Sequence, residues 1–277
     1  MIYLRSKKPL LLIAGILWSA VGTLQAQQTT VMPSSFVGGN ASVAYEKAWI
    51  PFHNPAALAA QTSAGVQLLY DNRYITRELS NKAMNVWFPT KYFHIGGSFT
   101  HFGFAEYQEM LLAATVARQL GERFRLGIEV DYYTVYLSPT ERYAGTLTAH
   151  AGCQVKVSET VSIGFSVFNP VFSKIEAGAT DKLLPVRFSL GTRWQIRGKV
   201  DWLLQVDKEV RSSVRWATGF EYVMLDFLTV RLGAYGQQSF VPTLGAGVTV
   251  SKISFDLQAD YSGTLGVSLL GALRYSF

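Results

Sequence analysis

The chain has 277 residues, of which 49% are hydrophobic, 13% aromatic and only 16% charged. Ordinary soluble domains contain about 25% charged residues, so this composition argues against a soluble enzyme. The aromatic content is too high for a disordered chain, and after residue 26 no apolar run approaches the ~18 residues of a membrane helix, which argues against a helical membrane protein.

The amino terminus, residues 1–26, has the features of a secretory signal peptide. Basic residues precede an apolar stretch that ends near Leu24, and polar residues follow Ala26. This order predicts export and cleavage after Ala26. A single membrane anchor is the alternative, although the apolar run is shorter than a full span. The mature chain keeps only a small net positive charge, so no nucleic-acid partner is expected.

The remainder of the chain, 63–277, alternates apolar and polar residues with the period of two that is typical of β-strands. Leu126 and Ile128 share one face, for example, while Arg125 and Glu129 share the other. One face suits lipid and the other suits water, so an all-β fold, a transmembrane antiparallel β-barrel, is predicted. The fourteen expected strands lie at 64–71, 81–88, 92–102, 107–119, 123–136, 143–156, 160–168, 185–196, 199–208, 213–223, 226–235, 240–250, 252–261 and 264–277.

The lengths of the connections distinguish this barrel from a soluble β-sandwich, whose strands also alternate. If both termini lie in the periplasm, connections after even-numbered strands are short and those after odd-numbered strands are longer. The expected strands follow this rule, with tight turns at 89–91, 120–122 and 197–198 and long connections at 72–80 and 169–184. The predicted location is therefore the bacterial outer membrane, where the barrel would be surrounded by outer-membrane lipid.

The final strand carries an alternating apolar row that includes Tyr275 and ends on Phe277, the last residue. Such a strand is similar to the aromatic-ended strand that the bacterial barrel assembly machinery recognises. These two residues are therefore assigned as an assembly signal, and that machinery is an expected partner.

Residues 27–62 precede the first strand and are predicted to plug the lumen. Glycines such as Gly127 and Gly233 fall on the inward face, and glycine inside a strand often marks the close approach of another backbone. The alternative is a periplasmic tail, which would leave Trp49 and Phe52 in water.

Charged residues of both signs fall on the inward face of the expected strands. An unpaired charge in a poorly hydrated interior is costly, so they are predicted to form an ion-pair network, with a track for a charged solute as the alternative. The members of this lumen charge network are Arg125, Glu129, Asp131, Arg187, Arg193, Asp201, Asp207, Arg215, Glu221, Arg231, Asp256, Asp260 and Arg274. Aromatic residues predicted to face lipid or its interface include Trp87, Trp194, Trp202, Trp216, Tyr222 and Tyr261.

The sequence contains no marker of a catalytic or metal site. The four histidines are dispersed, and no pair has the spacing of a zinc site. His150 and Asp131 fall on neighbouring strands, but no motif identifies a nucleophile. The single cysteine, Cys153, excludes an intramolecular disulfide and a cysteine-based metal cluster. No enzymatic activity, metal or cofactor is therefore predicted.

Two amino-terminal motifs, GNASVA at 39–44 and WIPFHNPAALA at 49–59, resemble the signature of the PorV/PorQ family of Bacteroidetes outer-membrane proteins. These proteins are related to the FadL-type fatty-acid transport barrels. The similarity continues at 70–74, 78–80, 89–92, 120–124 and 168–170. It implies a fourteen-stranded barrel that is occluded by its amino-terminal segment. The plug and signature residues are Gly39, Asn40, His53, Asn54, Pro55, Ala56 and Leu58.

The resemblance implies one of two activities. Named members of the family serve type IX protein secretion, either by receiving the carboxyl-terminal signal domain of cargo or within the surface attachment complex. An accessory role of this kind is the main expectation, with secretion-system subunits or cargo signal domains as partners that dock at 169–184, where Phe172, Ile175 and Leu183 lie. The alternative is a FadL-like transporter that binds a hydrophobic small molecule.

Overall fold

The computed structural model describes residues 31–138, 142–177 and 180–277, so the predicted signal peptide at 1–26 lies outside the described residues. Short 3-10 helices lie at Gly38–Asn40, Pro55–Ala60, Arg73–Ile75 and Arg77–Leu79. Within the described part of the chain, no helix is long and apolar enough to cross a bilayer.

Strands make up most of the described structure. In chain order they are β1 (Gly65–Asn72), β2 (Ser80–Pro89), β3 (His94–Phe104), β4 (Tyr107–Leu120), β5 (Phe124–Leu137), β6 (Arg142–Lys156), β7 (Val161–Phe168), β8 (Lys174–Ala177), β9 (Thr180–Leu183), β10 (Arg187–Ile196), β11 (Val200–Glu209), β12 (Val214–Leu225), β13 (Leu228–Gly236), β14 (Phe240–Val250), β15 (Ile253–Ser262) and β16 (Gly266–Ser276). All except β8 and β9 join one closed antiparallel barrel, in which β16 pairs with β1 and β10 pairs with β7. The predicted fourteen-stranded barrel is confirmed, and the predicted strands differ from the observed ones mainly at their ends.

The two faces of the barrel wall differ in polarity, as the alternation predicted. Leu126 and Ile128 of β5 are 45% and 63% exposed on the outer face, whereas Glu129 of the same strand is on the inner face and is buried. Closure leaves no unpaired sheet edge, and an apolar outer face can then lie in hydrocarbon. We call the end of the barrel that holds Gly65 and Ser276 the terminal rim and the opposite end the distal rim.

The long connection at 169–184 contains a β-hairpin, whereas only a loop was predicted there. Strands β8 and β9 pair from Lys174↔Leu183 to Ala177↔Thr180, and they are too short for a period of two to be recognised in the sequence. The prediction that Ile175 is exposed for docking is wrong, because its side chain is buried in an apolar cluster. Phe172 is 67% exposed.

Trp87 was predicted to face lipid and instead faces the lumen. It follows Ala83 and Asn85 on the inward face of β2, and its side chain is only 2% exposed. Its indole Nε1 donates to the Ser63 carbonyl oxygen at 2.8 Å, and its ring meets Trp49 edge to face at 6.4 Å. Aromatic character alone suggested an interfacial anchor, but the buried hydrogen-bond partner and the second ring hold this tryptophan inside.

Residues 31–64, which we call the amino-terminal segment, lie within the barrel. Most of their side chains are buried. Gly38 and Gly39 lie against the backbone of β12 and β13, whereas Pro55 lies against Gly127 of β5, far away around the ring. A segment that contacts inward positions on such separated strands must cross the interior.

Candidate functional site

Inward-facing glycines form the surface on which the amino-terminal segment rests. A Cβ atom added to Gly127 would lie 2.3 Å from the Pro55 carbonyl carbon, and one added to Gly152 would lie 2.1 Å from Asn54 Oδ1. These separations are too short for any side chain. The wall is reduced to backbone at these positions because the segment needs the space.

Asn54 joins the segment to itself and to the wall. Its Nδ2 donates to the Val43 carbonyl oxygen at 2.6 Å, and its Oδ1 accepts from Ala56 N at 3.0 Å, which caps the helix that Pro55 begins. An asparagine cap followed by proline is a favoured helix start. Leu58 of this helix is fully buried in a cluster with Trp49 and Trp87.

His53 acts as a neutral cross-link. Its Nδ1 lies 2.5 Å from Ser42 Oγ and its Nε2 lies 3.0 Å from the Pro33 carbonyl oxygen, so Nε2 is the donor to the carbonyl and Nδ1 accepts from the hydroxyl. Burial, together with the nearby Arg187 guanidinium, lowers the pKa of His53 to about 4. The imidazole is therefore uncharged at neutral pH.

Glu46 binds charged and polar groups of three strands near the terminal rim. Its carboxylate contacts Arg125 of β5 and accepts hydrogen bonds from Ser162 Oγ of β7 at 2.6 Å and Arg193 Nη1 of β10 at 3.1 Å. Burial acts to raise the pKa of Glu46, but the hydrogen bonds from Ser162 and Arg125 outweigh it and hold the pKa below its usual value. The carboxylate is therefore ionised at neutral pH.

Lys47 supplies the opposite charge to the next strands around the ring. Its Nζ lies 2.6 Å from Asp201 Oδ2 of β11, and Asp201 also binds Arg193 Nη2 at 2.9 Å. Sequence reasoning missed both Glu46 and Lys47. The available signal was that they are the only acidic and basic residues within 27–62.

Other members of the predicted charge network form smaller, separate groups. Arg231 bridges Glu221 at 2.7 Å and Asp256 at 2.6 Å, and Arg215 Nη1 lies 2.5 Å from Asp207 Oδ2. Arg274 Nη1 donates to the Lys47 carbonyl oxygen at 3.0 Å. The charges therefore meet locally in pairs and triads, and several of these groups are completed by the amino-terminal segment.

Asp260, Arg187 and Asp131 belong to none of these ion-paired groups. Asp260 accepts hydrogen bonds from neutral donors, which are Asn40 Nδ2 at 3.0 Å and Tyr235 OH at 3.1 Å together with a neighbouring glutamine amide. Arg187 Nη2 lies 3.0 Å from Met32 Sδ. Asp131 is fully buried, and its carboxylate oxygens have no hydrogen-bond partner among the described residues.

His150 contacts Glu129 rather than Asp131. Its Nδ1 lies 3.4 Å from Glu129 Oε1, while the other carboxylate oxygen accepts from Thr115 Oγ1 at 2.5 Å. The structure therefore does not form the His150–Asp131 pair that neighbouring strands made conceivable.

An apolar patch inside the distal half of the barrel was not predicted. We call it the distal apolar cluster. Its buried members are Val31, Met32, Phe52, Phe102, Leu111, Ala113, Tyr133, Val135, Phe168, Ile175 and Leu184. They come from the amino-terminal segment, from β3, β4, β5 and β7, and from the connection at 169–184, in which Ile175 belongs to β8 and Leu184 follows β9. Leu111 and Val135 are apolar residues at inward positions, and this departure from alternation was the available signal.

The opposite side of the interior, along β10 to β16, contains polar cavities. The distal cavity, of about 140 Å³, is lined by residues that include Asn40, Arg187 and Asp207. A further cavity of about 230 Å³ adjoins it and shares Arg215 and Asp260 with it. The terminal cavity, of about 100 Å³, lies nearer the terminal rim.

No protein-family model matches the chain, and no curated protein matches it significantly. Solved structures are similar in fold. The toluene transporter TbuX of Ralstonia pickettii has a TM-score of 0.66 and 12% identity, over 89% of this chain and 98% of that chain. The CymD monoaromatic hydrocarbon channel has a TM-score of 0.67 and 11% identity, over 89% of this chain and 97% of that chain. A Pseudomonas aeruginosa FadL homologue has a TM-score of 0.61 and 12% identity, over 89% of this chain and 96% of that chain.

At these identities the likeness establishes the fold, a closed fourteen-stranded antiparallel β-barrel that is similar to the barrels of these transporters and channels. This fold supports the predicted outer-membrane location. The structural neighbours named above are transporters and channels, and none of them is named as an enzyme or a secretion component.

Proposed function

We propose that the protein carries apolar small molecules across the outer membrane. The observation that supports this function best is the distal apolar cluster. The interior of a membrane barrel is ordinarily polar, so a buried apolar patch within it requires a reason. An apolar solute that enters from the distal rim would find in this cluster a surface that favours it over water.

In this proposal the amino-terminal segment is the plug, and its first described residues occupy the solute site. Val31 and Met32 are buried in the distal apolar cluster. The Val31 carbonyl oxygen accepts hydrogen bonds from Asn81 Nδ2 at 2.8 Å and Thr100 Oγ1 at 3.0 Å. The Met32 carbonyl oxygen accepts from Arg73 Nη2 at 2.9 Å. A solute would compete with these two side chains for the same apolar surface.

The replacement of Val31 and Met32 by a solute is energetically feasible. Each hydrogen bond between neutral groups contributes about 1 kcal/mol net, and the one from the Arg73 guanidinium contributes about 1.5–3 kcal/mol. Burial of each apolar side chain contributes about 1.5–3 kcal/mol. A solute of similar apolar area can therefore replace Val31 and Met32 while Glu46 and Lys47 still hold the segment at the terminal rim.

The terminal rim faces the periplasm and the outer face contacts membrane lipid. Tyr275 and Phe277, whose rings meet at 5.1 Å on the last strand, serve as the signal for the barrel assembly machinery. An accessory role in type IX secretion stays a prediction of the family resemblance, and the burial of Ile175 removes one residue from its expected docking surface.

Adjacent alanines of β4 provide a matched test. Ala113 lies in the distal apolar cluster, and Ala114 faces outward. We expect Ala113→Phe to fill the solute site and Ala114→Phe to leave it open. Binding of 1-N-phenylnaphthylamine to the purified protein, and its displacement by toluene, would be followed by fluorescence.

Wild type and Ala114→Phe should bind the dye with the same affinity, and Ala113→Phe should bind at least about tenfold more weakly, which corresponds to about 1.4 kcal/mol. Heat-modifiable mobility in gels would show that each variant is folded. Equal binding by all three folded proteins would contradict the proposed site.

A further inference from the structure

We infer that the barrel contains a second, polar pathway along β10 to β16, closed by the turn at 36–40, which passes small polar solutes that carry no net charge. This pathway runs along different strands from the distal apolar cluster, which is built on β3, β4, β5 and β7, and the two meet at Met32, which also lines the distal cavity. It therefore goes beyond the proposed transport of apolar molecules.

The first observation is that cavities lie on both sides of one short stretch of chain. Phe36 lines the terminal cavity and Asn40 lines the distal cavity. The terminal cavity, of about 100 Å³, and the distal cavity, of about 140 Å³, are both large enough for several water molecules. Residues 36–40 are thus the barrier between them.

At this barrier the backbone of the turn rests directly on the backbone of β12 and β13, with no side chain between them. A Cβ added to Gly219 would lie 1.9 Å from the Gly38 carbonyl oxygen, and one added to Gly233 would lie 2.2 Å from Gly39 N. Gly39 and Asn40 both have positive φ, at 66° and 57°. This left-handed conformation suits glycine and, among other residues, asparagine.

Side-chain hydrogen bonds hold the turn, and Arg215 Nη2 donates one of them to the Gly39 carbonyl oxygen at 3.4 Å. Gly39 N donates to Thr243 Oγ1 at 2.9 Å, and Asn40 Nδ2 donates to Asp260 Oδ2 at 3.0 Å. Asn40 Oδ1 also accepts from Ser35 N at 2.7 Å. Asn40 therefore joins the turn both to itself and to the wall, and loss of its amide would allow the turn to move away from β12 and β13.

The charges around the cavities determine which solute fits. The distal cavity contains Arg187 and Arg215 together with Asp207 and Asp260. In the terminal cavity, Arg231 is paired with both Glu221 and Asp256. Lys47 and Arg274 also line this cavity, and Lys47 is paired with Asp201 outside it. A single-sign lining would select ions of the opposite sign. A lining that presents charges of both signs favours a solute without net charge.

Glu221 gives independent evidence for a ligand in the terminal cavity. Its side chain is 0% exposed, and its Oε2 has no hydrogen-bond partner among the described residues. Lys47 Nζ lies 4.0 Å away, beyond hydrogen-bond distance. A buried carboxylate oxygen requires a donor, which a hydroxyl or ammonium group of a passing solute can supply.

The test is the swelling of proteoliposomes in isotonic arabinose or glycine. Asn40→Gly removes the amide but suits the positive φ of this position, so the barrel should stay folded. Loss of its two side-chain hydrogen bonds predicts an initial swelling rate about tenfold above that of wild type. An Asn40→Gly rate equal to that of wild type would overturn the inference.

A blocking variant locates the pathway. Thr229 lines the terminal cavity, whereas Thr192 pairs with outward-facing Leu204. Added to Asn40→Gly, Thr229→Trp should return swelling to the wild-type rate, and Thr192→Trp should leave it raised. Fast swelling in all of these variants would place the leak elsewhere and overturn the inference. A strong preference for K⁺ or Cl⁻ in a KCl gradient would contradict the claim that the solute has no net charge.

Discussion

Glu46 and Lys47 are consecutive in the chain, yet their side chains bind groups on different strands of the barrel. Glu46 contacts Arg125, Ser162 and Arg193, while Lys47 Nζ lies 2.6 Å from Asp201 Oδ2. Two neighbouring residues of opposite charge thus connect the amino-terminal segment to β5, β7, β10 and β11. This connection explains how the segment stays anchored near the terminal rim if its other end moves.

Glu46→Gln should loosen the amino-terminal segment. The change removes the acid partner of Arg125 and leaves Arg193 with Asp201 alone. We expect it to cost about 1–3 kcal/mol, because these groups are partly screened by solvent at the rim. Limited proteolysis of the folded protein should then cleave the segment faster. Glu159→Gln, at an exposed turn of the same rim, is the control and should behave as wild type.

The same carboxylate gives a pH dependence. The pKa of Glu46 is lower in the folded protein than its ordinary value of 4.5, so its contribution to stability is present above about pH 4.5 and is lost as the pH falls through the folded pKa. Proteolysis of the wild-type segment by an acid-active protease should accelerate in that acidic range. The difference between wild type and Glu46→Gln should shrink there, and a constant difference down to the lowest pH would contradict this assignment.

Gly127→Ala should push the amino-terminal segment away from β5. The added Cβ would lie 2.3 Å from the Pro55 carbonyl carbon, and overpacking of this kind typically costs about 1–3 kcal/mol. Gly97→Ala is the matched control, since its Cβ would make only ordinary contacts at 3.8 Å. Denaturant unfolding in detergent should show a lower midpoint for Gly127→Ala alone, and equal midpoints for both variants would argue against close packing of segment and wall.

Ile175→Ala should weaken the distal apolar cluster, and Phe172→Ala should not. Ile175 is 1% exposed, so its truncation is expected to cost about 2–4 kcal/mol. Phe172 is 67% exposed, and exposed substitutions usually change stability by less than about 0.5 kcal/mol. Denaturant unfolding would compare the two variants. The reverse order would restore the 169–184 connection as an exposed docking surface.

The barrel itself could be predicted because alternation and turn spacing are local signals. Leu126 and Ile128 lie outward and Glu129 inward, as their order in the chain requires. Trp87 could not be placed correctly by its type, because only the tertiary contact with Trp49 and the Ser63 carbonyl oxygen shows why an aromatic ring is held inside.

The candidate site was less predictable because it depends on contacts between distant parts of the chain. Asp201 was recognised as an inward charge, but its partner Lys47 belongs to the amino-terminal segment. The distal apolar cluster combines Met32 with Leu111 and Ile175, which no local period relates. The sequence predicted an occupied and charged interior. The division of that interior into an apolar side and a polar side could be recognised only in the closed barrel.

The most direct test of the central claim is the uptake of labelled toluene by bacterial cells whose outer membrane carries this protein. Cells with wild type or Ala114→Phe should take up toluene faster than cells without the protein, and Ala113→Phe, at equal expression, should remove this gain. Uptake that does not depend on the protein, or that survives Ala113→Phe unchanged, would contradict transport through the distal apolar cluster.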